Sequence, residues 1–345
     1  MNTTRDIAKH WPLILSAVIL LVFLSLLCSL LFGASDIKVS QLFSWILGQG
    51  DPQSNLIIGQ LRLPRALLAA FVGAILACCG AVTQGLFRNP LADPSLIGVT
   101  AGATAGASLV IVLLAQIQHL EILGLSLVSF GAFIGGLLAV LFVYRVATGS
   151  SGTSVATMLL AGIGVSFLAG SLSSVFELIG DNHMLRQISL WRMGGLEAAD
   201  YSHIAIIACV ALPILWILPR HHAALNALLL GESEARHLGI DVHRLKTTIV
   251  LCVAAGIGVS VALAGSIAFI GLVVPHIVRM LVGPNHRYLI PLSAGLGAAM
   301  LIIADAFART ILAPAELPVG LVTSFIGAPV FISLLRSRHR YGMQN

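Results

Sequence analysis

Long apolar runs separated by short polar breaks dominate the chain. A helix rises about 1.5 Å per residue, so about 20 apolar residues cross about 30 Å of hydrocarbon. On that measure the runs predict membrane-spanning helices over residues 13–32, 64–85, 123–143, 155–176, 248–265, 267–282 and 289–312. Three more are predicted: one starting at Asp93-Pro94, one ending near residue 218, and one closing at Arg336, Arg338 and Arg340. The runs do not alternate apolar with polar positions, as the strands of a membrane barrel do. The predicted fold is an all-α polytopic membrane protein of about ten transmembrane helices. It forms one transmembrane domain over residues 1–345, with a cytoplasmic loop at 220–247.

The breaks carry their own signals. Asp93 before Pro94 reads as an N-cap and first-turn pair that starts the third span. Gly98, Gly102 and Gly106 then recur every fourth residue, and Gly131 and Gly135 share a face of the fourth span, which suits close helix contact in lipid. Residues 34–60 and 177–201 are polar enough for loops with short amphipathic helices. Gly80 precedes Pro90 by the same interval as Gly265 precedes Pro275, on helices predicted to run in opposite directions; this weak echo hints at an inverted repeat.

Composition sharpens the class. The chain is 58% hydrophobic and 10% charged, whereas soluble domains carry about 25% charged residues. Its net charge of +5 reports orientation rather than nucleic acid, because no basic patch is interleaved with aromatics. On the predicted topology roughly 13 Lys and Arg fall on the side of the termini and roughly 6 on the other, which places both termini in the cytoplasm. The run after Arg5 and Lys9 is long for a signal peptide and many spans follow it, so it is read as a retained first helix. Cys28, Cys78, Cys79, Cys209 and Cys252 lie in apolar runs without metal or redox spacing and are read as packing residues. None of the eleven histidines sits in a ligand spacing, so no metal site is predicted.

One polar island, residues 229–246, interrupts the pattern between two spans. Gly231 and Gly239 bracket Glu234, Ala235, Arg236 and Leu238, a short helix with a glycine stop. It is either a coupling element for an external ATPase or an ordinary cytoplasmic loop. No Gly-Lys dipeptide exists, and the lysines are Lys9, Lys38 and Lys246. A phosphate-cradling GxxxxGK[ST] loop is therefore excluded, and any ATPase is a separate chain. No nucleophile–base constellation is present, so no enzyme activity is expected. Arg62, Arg65 and Arg309 depart from the positive-inside trend, and a charge near hydrocarbon needs a partner. Asp305 lies one turn before Arg309. For Arg62 and Arg65 the readings are snorkelling to lipid phosphates or a basic outer rim that docks an acidic partner.

These motifs resemble the FecCD-type permeases, the membrane subunits of bacterial importers for ferric siderophores, haem and cobalamin. The resemblance rests on Arg62-Leu63-Pro64-Arg65, on Gly80-Ala81-Val82-Thr83-Gln84-Gly85-Leu86-Phe87-Arg88-Asn89-Pro90-Leu91-Ala92-Asp93-Pro94, and on Gly231-Glu232-Ser233-Glu234-Ala235-Arg236-His237-Leu238-Gly239. It continues in Phe269-Ile270-Gly271-Leu272-Val273-Val274-Pro275-His276, Ala315-Glu316-Leu317-Pro318-Val319-Gly320 and Gly327-Ala328-Pro329-Val330-Phe331. The resemblance implies a multi-pass subunit of the bacterial inner membrane that pairs with a second copy of itself. It further implies two ATP-binding subunits, which hold ATP and Mg, and a periplasmic binding protein, with no cofactor in this chain. By the same resemblance, Gly231, Glu234, Ala235, Arg236, Leu238 and Gly239 meet the ATPase, and Arg62, Arg65 and Arg309 dock the binding protein. Phe87, Arg88, Asn89, Pro90 and Leu91 match one cytoplasmic gate, and Thr148, Gly149, Ser150, Ser151 and Gly152 the other. Haem is the expected cargo, ahead of a ferric siderophore and cobalamin. An autonomous secondary transporter is the alternative class, with Asp305 as its candidate ion-coupling residue.

Overall fold

The computed structural model describes residues 3–33, 35, 37–118, 120–122, 124–149 and 152–341. The elements in order are α1 (Thr3–Leu31), α2 (Val39–Ile46), α3 (Pro52–Ser54), a π-helical stretch (Asn55–Arg62) and α4 (Leu63–Leu86). A 3-10 turn (Pro94–Ile97), α5 (Val99–Leu113), strands β1 (Glu121–Ile122) and β2 (Leu125–Ser126), and α6 (Leu127–Ala147) follow. Next come β3 (Thr148–Gly149), β4 (Gly152–Thr153), α7 (Val155–Ile179), α8 (Asn182–Met193), α9 (Tyr201–Arg220), α10 (His222–Leu228) and α11 (Glu232–His237). The chain ends with α12 (Val242–Ala264), α13 (Ile270–Val282), α14 (His286–Ala308) and α15 (Val319–Tyr341).

Among the described residues, seven helices are long and apolar enough to cross a membrane. Three shorter apolar helices, Val99–Leu113, Ile270–Val282 and Val319–Ser333, complete the ten expected. Helix starts follow the local chemistry. Ser126, Ser154, Asp181, Asp200 and Asp241 each accept a backbone N–H three residues on, satisfying a donor that the helix leaves orphaned. The third span departs from expectation. Asp93 accepts from the Ser95 N–H and starts only the 3-10 turn; Gly98, at φ +84°, then redirects the chain so that α5 begins at Val99.

The core sits around α4, whose most apolar window is 83% buried, against 11% for α7. Helix α14 runs antiparallel along it. Arg65 meets Asp305 at one end of the pair, Gly73 and Gly297 face each other's carbonyl oxygens in the middle, and Gly85 lies against His286 at the other end. A Cβ on either central glycine would overlap the partner backbone. The expected small-residue faces also meet: Gly102 packs on Gly135, and Gly106 on Gly131, between α5 and α6. Cys78 and Cys79 are buried as packing residues, whereas Cys28 and Cys209 lie on the exposed apolar surface.

An inverted repeat is written in the packing rather than in the glycine and proline spacing. Helix α4 packs on α14 and α13, and α12 packs on α6 and α5. Likewise α5 packs on α6 and α7, and α13 on α14 and α15. Matching α4–α7 with α12–α15 in order carries each of these packed pairs onto its counterpart. The two units run oppositely, because α12 starts beside Thr153, at the end of the bundle where α4 finishes. The spacing echo itself falls in unlike settings. Gly80 is inside α4 and Pro90 in a turn, while Gly265 caps α12 and Pro275 is inside α13.

Overpacking a tight contact costs about 1–3 kcal/mol. Gly73→Val and Gly106→Val are therefore each expected to lower the thermal unfolding temperature of the purified chain in detergent. An unchanged transition would mean that these backbones do not need to touch.

Candidate functional site

Four ionised groups converge where α4 begins and α14 ends. Pro64 opens the first turn of α4 and sets Arg65 facing α14. Its Nε donates to both oxygens of Asp305, at 2.8 and 3.1 Å, and its Nη1 to Glu316 Oε2 at 2.6 Å. Arg309, one turn beyond Asp305, places its Nε 3.1 Å from Asp305 Oδ2. Its Nη2 donates to the Ser29 hydroxyl at 2.7 Å and the Ser29 carbonyl at 3.1 Å, which brings in α1. Asp305 is fully buried, Arg65 and Arg309 nearly so. A buried charge is tolerable only when it is paired and hydrogen-bonded. Here two guanidinium groups face two carboxylates, so the cluster is neutral.

Arg62 ends the π-helical stretch. Its Nη1 donates to the carbonyls of Leu30 and Leu31, both at 2.8 Å, and its Nη2 to the carbonyl of Ser35. It is buried as well. Arg62 and Arg65 therefore neither snorkel nor stand exposed as a basic rim, and Arg309 is buried with them. Carbonyls, carboxylates and the Ser29 hydroxyl of this same chain lie against their guanidinium groups. The partnership of Arg309 with Asp305 is as expected; Glu316, Ser29 and the carbonyls around residue 30 could not be located from sequence spacing.

The polar island lies at the opposite end of the bundle. Helix α10 precedes it; the island itself holds α11 and the first residues of α12, which starts at Val242, inside the expected loop. Helix α11 stops as expected. The Gly239 N–H donates to the Arg236 carbonyl and the Ile240 N–H to the Ala235 carbonyl, with Gly239 at φ +82°. This is a Schellman cap, whose left-handed residue favours glycine. Ala235 is buried and anchors the helix, while Glu234 and Arg236 face outward. Leu230 and Leu238 are 70% and 63% exposed, flanking α11 with apolar surface that none of the described residues covers.

The two expected gate segments differ. Phe87 caps α4 and is buried in the core, so it serves packing rather than a free loop. Arg88 is exposed at φ +49°, and the Asn89 side chain accepts the Leu91 N–H at 3.0 Å to close the turn through Pro90. In the second segment Thr148 and Gly149 pair with Gly152 and Thr153 as a small hairpin, and the Thr148 and Thr153 hydroxyls lie 3.0 Å apart. Ser150 and Ser151 lie outside the described residues.

A cavity of about 760 Å³ opens between α5, α7, α8 and the segment before α13. Hydroxyls line much of it, from Thr100, Thr104, Ser166, Ser174 and Ser266, together with Arg192. The Arg192 Nη1 donates to Glu177 at 2.9 Å. Gly164, Gly170, Ser171 and Ser174 lie exposed on α7 among larger apolar side chains such as Leu160, Phe167 and Leu178.

Comparison with known proteins places this architecture. Residues 19–337 match the FecCD transport family. The chain is 41% identical over 331 residues to the hemin transport system permease protein HmuU of Yersinia pestis, covering 95% of this chain and 97% of that one. It is 40% identical over 332 residues to the vitamin B12 import system permease protein BtuC of Shigella boydii, covering 96% of each. A solved structure described as an inward-facing conformation of a metal-chelate type ABC transporter superposes with a TM-score of 0.84 at 33% identity, covering 94% of this chain and 99% of that one.

Removing the anion between two buried guanidinium groups is expected to cost about 3–5 kcal/mol, so Asp305→Asn should strongly destabilise the chain. Glu316 is partly exposed, and Glu316→Gln should cost about 1 kcal/mol or less. Thermal unfolding of the two variants reads the order, and equal losses would contradict the central place given to Asp305.

Proposed function

The chain belongs to the FecCD transport family and is an ABC importer permease, a non-catalytic membrane subunit; we propose that it carries haem inward from a periplasmic binding protein, driven by two separate ATP-binding subunits. The observation that carries the ATPase coupling is α11, a capped helix flanked by exposed Leu230 and Leu238 and held beside the hairpin at 148–153. In this reading Gly231, Glu234, Ala235, Arg236, Leu238 and Gly239 form the surface that meets an ATPase carrying ATP and Mg. The α11 end is then cytoplasmic, both termini lie on that side of the bacterial inner membrane, and residues 220–247 act as the coupling loop of a single permease domain.

A second copy of the chain completes the pathway. The exposed hydroxyls of Ser171 and Ser174 on this apolar span support this, because lipid offers hydroxyls nothing, whereas a facing copy or a water-filled path offers partners. The cavity beside α7 falls within the about 300–1,000 Å³ typical of small-molecule sites. The near-equal identities to a hemin and a vitamin B12 permease leave the cargo to cavity chemistry. Haem ranks first, a ferric siderophore next and cobalamin third; the cavity hydroxyls can bond a haem carboxylate, beside the Asp93 carboxylate and a guanidinium paired with Glu177. The segments at 87–91 and 148–152 are the gates, with Phe87 as the fixed root of the first.

Docking of the binding protein at Arg62, Arg65 and Arg309 takes an indirect form. Glu316, one-third exposed in its side chain, is the exchangeable partner of Arg65, and an incoming carboxylate competes with it. Ion-coupled transport by this chain alone would require an ionisable group open to exchange. Asp305 is instead fully buried against two guanidinium groups.

Co-purification tests the coupling surface. Wild-type chain is expected to retain an ATP-binding subunit in mild detergent, and Leu230→Asp with Leu238→Asp to lose it while the self-association of the chain persists. Retention of the ATPase by the double variant would contradict the assignment of α11. At the other end, Glu316→Gln is expected to tighten binding-protein affinity several-fold at low ionic strength, with the gain shrinking as salt screens the contact. An affinity unchanged at low salt would remove the exchange.

A further inference from the structure

Resting on that reading for the roles of α11 and the hairpin, we propose that Lys246 is a positioning residue that ties the coupling helix to the hairpin gate so that the two move together. Lys246 lies in the second turn of α12 and is 3% exposed. Its ammonium donates to Glu232 Oε1 at 2.7 Å and to the Thr153 carbonyl at 2.6 Å. Glu232 is the first residue of α11, and Thr153 ends the second strand of the hairpin. One cation thus reaches two elements far apart in sequence, from a helix that follows α11 directly.

The neighbouring residue holds the other side of the hairpin. The Thr247 hydroxyl lies 2.7 Å from the Tyr144 hydroxyl in the last turn of α6. Successive residues of α12 therefore grip the chain just before β3 and at the end of β4. A cavity of about 510 Å³ separates the hairpin from α11, bounded by Gly149 and Gly152 on one side and by Glu232 and Arg236 on the other. The ammonium bridge is a direct polar route by which a displacement of α11 reaches the hairpin across this gap. Lysine suits the task, since an ammonium offers three donors and can serve a carboxylate and a carbonyl at once. Its burial shields the Thr153 contact from competing water, while the Glu232 side chain is 30% exposed.

The test uses the chain in proteoliposomes with its ATP-binding subunit and binding protein. Lys246→Met is expected to lower cargo moved per ATP hydrolysed by about tenfold, within the usual range of coupling between sites, with ATP hydrolysis continuing. The exchange Lys246→Glu with Glu232→Lys restores the ion pair, but a glutamate at 246 cannot donate to the Thr153 carbonyl, so coupling should stay low. A purely structural ion pair would be rescued by that exchange. A normal ratio in Lys246→Met, or full rescue by the exchange, overturns the proposal.

A second readout is independent of transport. A Cβ at Gly149 meets nothing within 4 Å, so Gly149→Cys provides a reporter on the hairpin. Its labelling by a membrane-impermeant maleimide, in membranes open on the α11 side, is compared with that of the parent chain. Lys246→Met should raise the labelling rate and abolish any change on adding ATP with vanadate. An unchanged rate overturns the tether. Loss of ATP-driven uptake in the wild-type complex, with the labelling effect intact, would instead overturn the importer reading and leave the tether standing.

Discussion

Backbone contact between α4 and α14 is the constraint on which the rest of the bundle depends. Lipid tails are as apolar as leucine, so spanning helices gain little from hiding apolar side chains against one another. They associate where small residues let the backbones approach and where polar groups find partners. Gly73 and Gly297 provide the first condition. Arg65 and Asp305 provide the second at one end, and also fix the register of the pair. Helix α13 joins the same frame through Gly80 and Gly271, latched by Gln84, whose Nε2 donates to the Leu272 carbonyl while its Oε1 accepts from Arg279.

The two ends of the bundle are built in opposite ways. At the clasp end, α1, α4, α14 and the turn after it are bound together by groups that satisfy one another in a buried, neutral cluster. Only Glu316 keeps appreciable contact with solvent there. At the other end a short capped helix stands exposed, and a small hairpin is held by hydrogen bonds across a cavity. Few apolar contacts and polar attachments mark the elements of a protein that open at low cost. The arrangement is that of a rigid frame carrying a movable end, as alternating access requires.

Much of this was legible in the sequence, and the failures have physical reasons. Apolar runs located the ten spans, and the four-residue glycine spacing identified the faces on which α5 and α6 meet. The cap of α11 followed from Gly239 alone, because the left-handed position demanded it. Arg309 could be matched to Asp305 because one helical turn separates them. The partners of Arg65 could not, since they lie 240 and 251 residues away and only the fold brings them near. An unpaired charge in a membrane chain therefore read as an exposed rim, whereas these side chains are buried against partners of the same chain. Lys246 was noticed only as one of three lysines; its position at the start of an apolar span was the unused signal of a buried role. The onset of α5 was missed because Asp93-Pro94 starts a helical turn of either kind, and the redirecting Gly98 read as one more packing glycine.

The most direct measurement is haem accumulation in proteoliposomes that contain this chain and its ATP-binding subunit, with haem-loaded binding protein supplied on the clasp side. The account predicts accumulation that requires ATP, the ATPase and the binding protein together. Accumulation by the chain alone under an imposed proton or sodium gradient, without ATP, would contradict it.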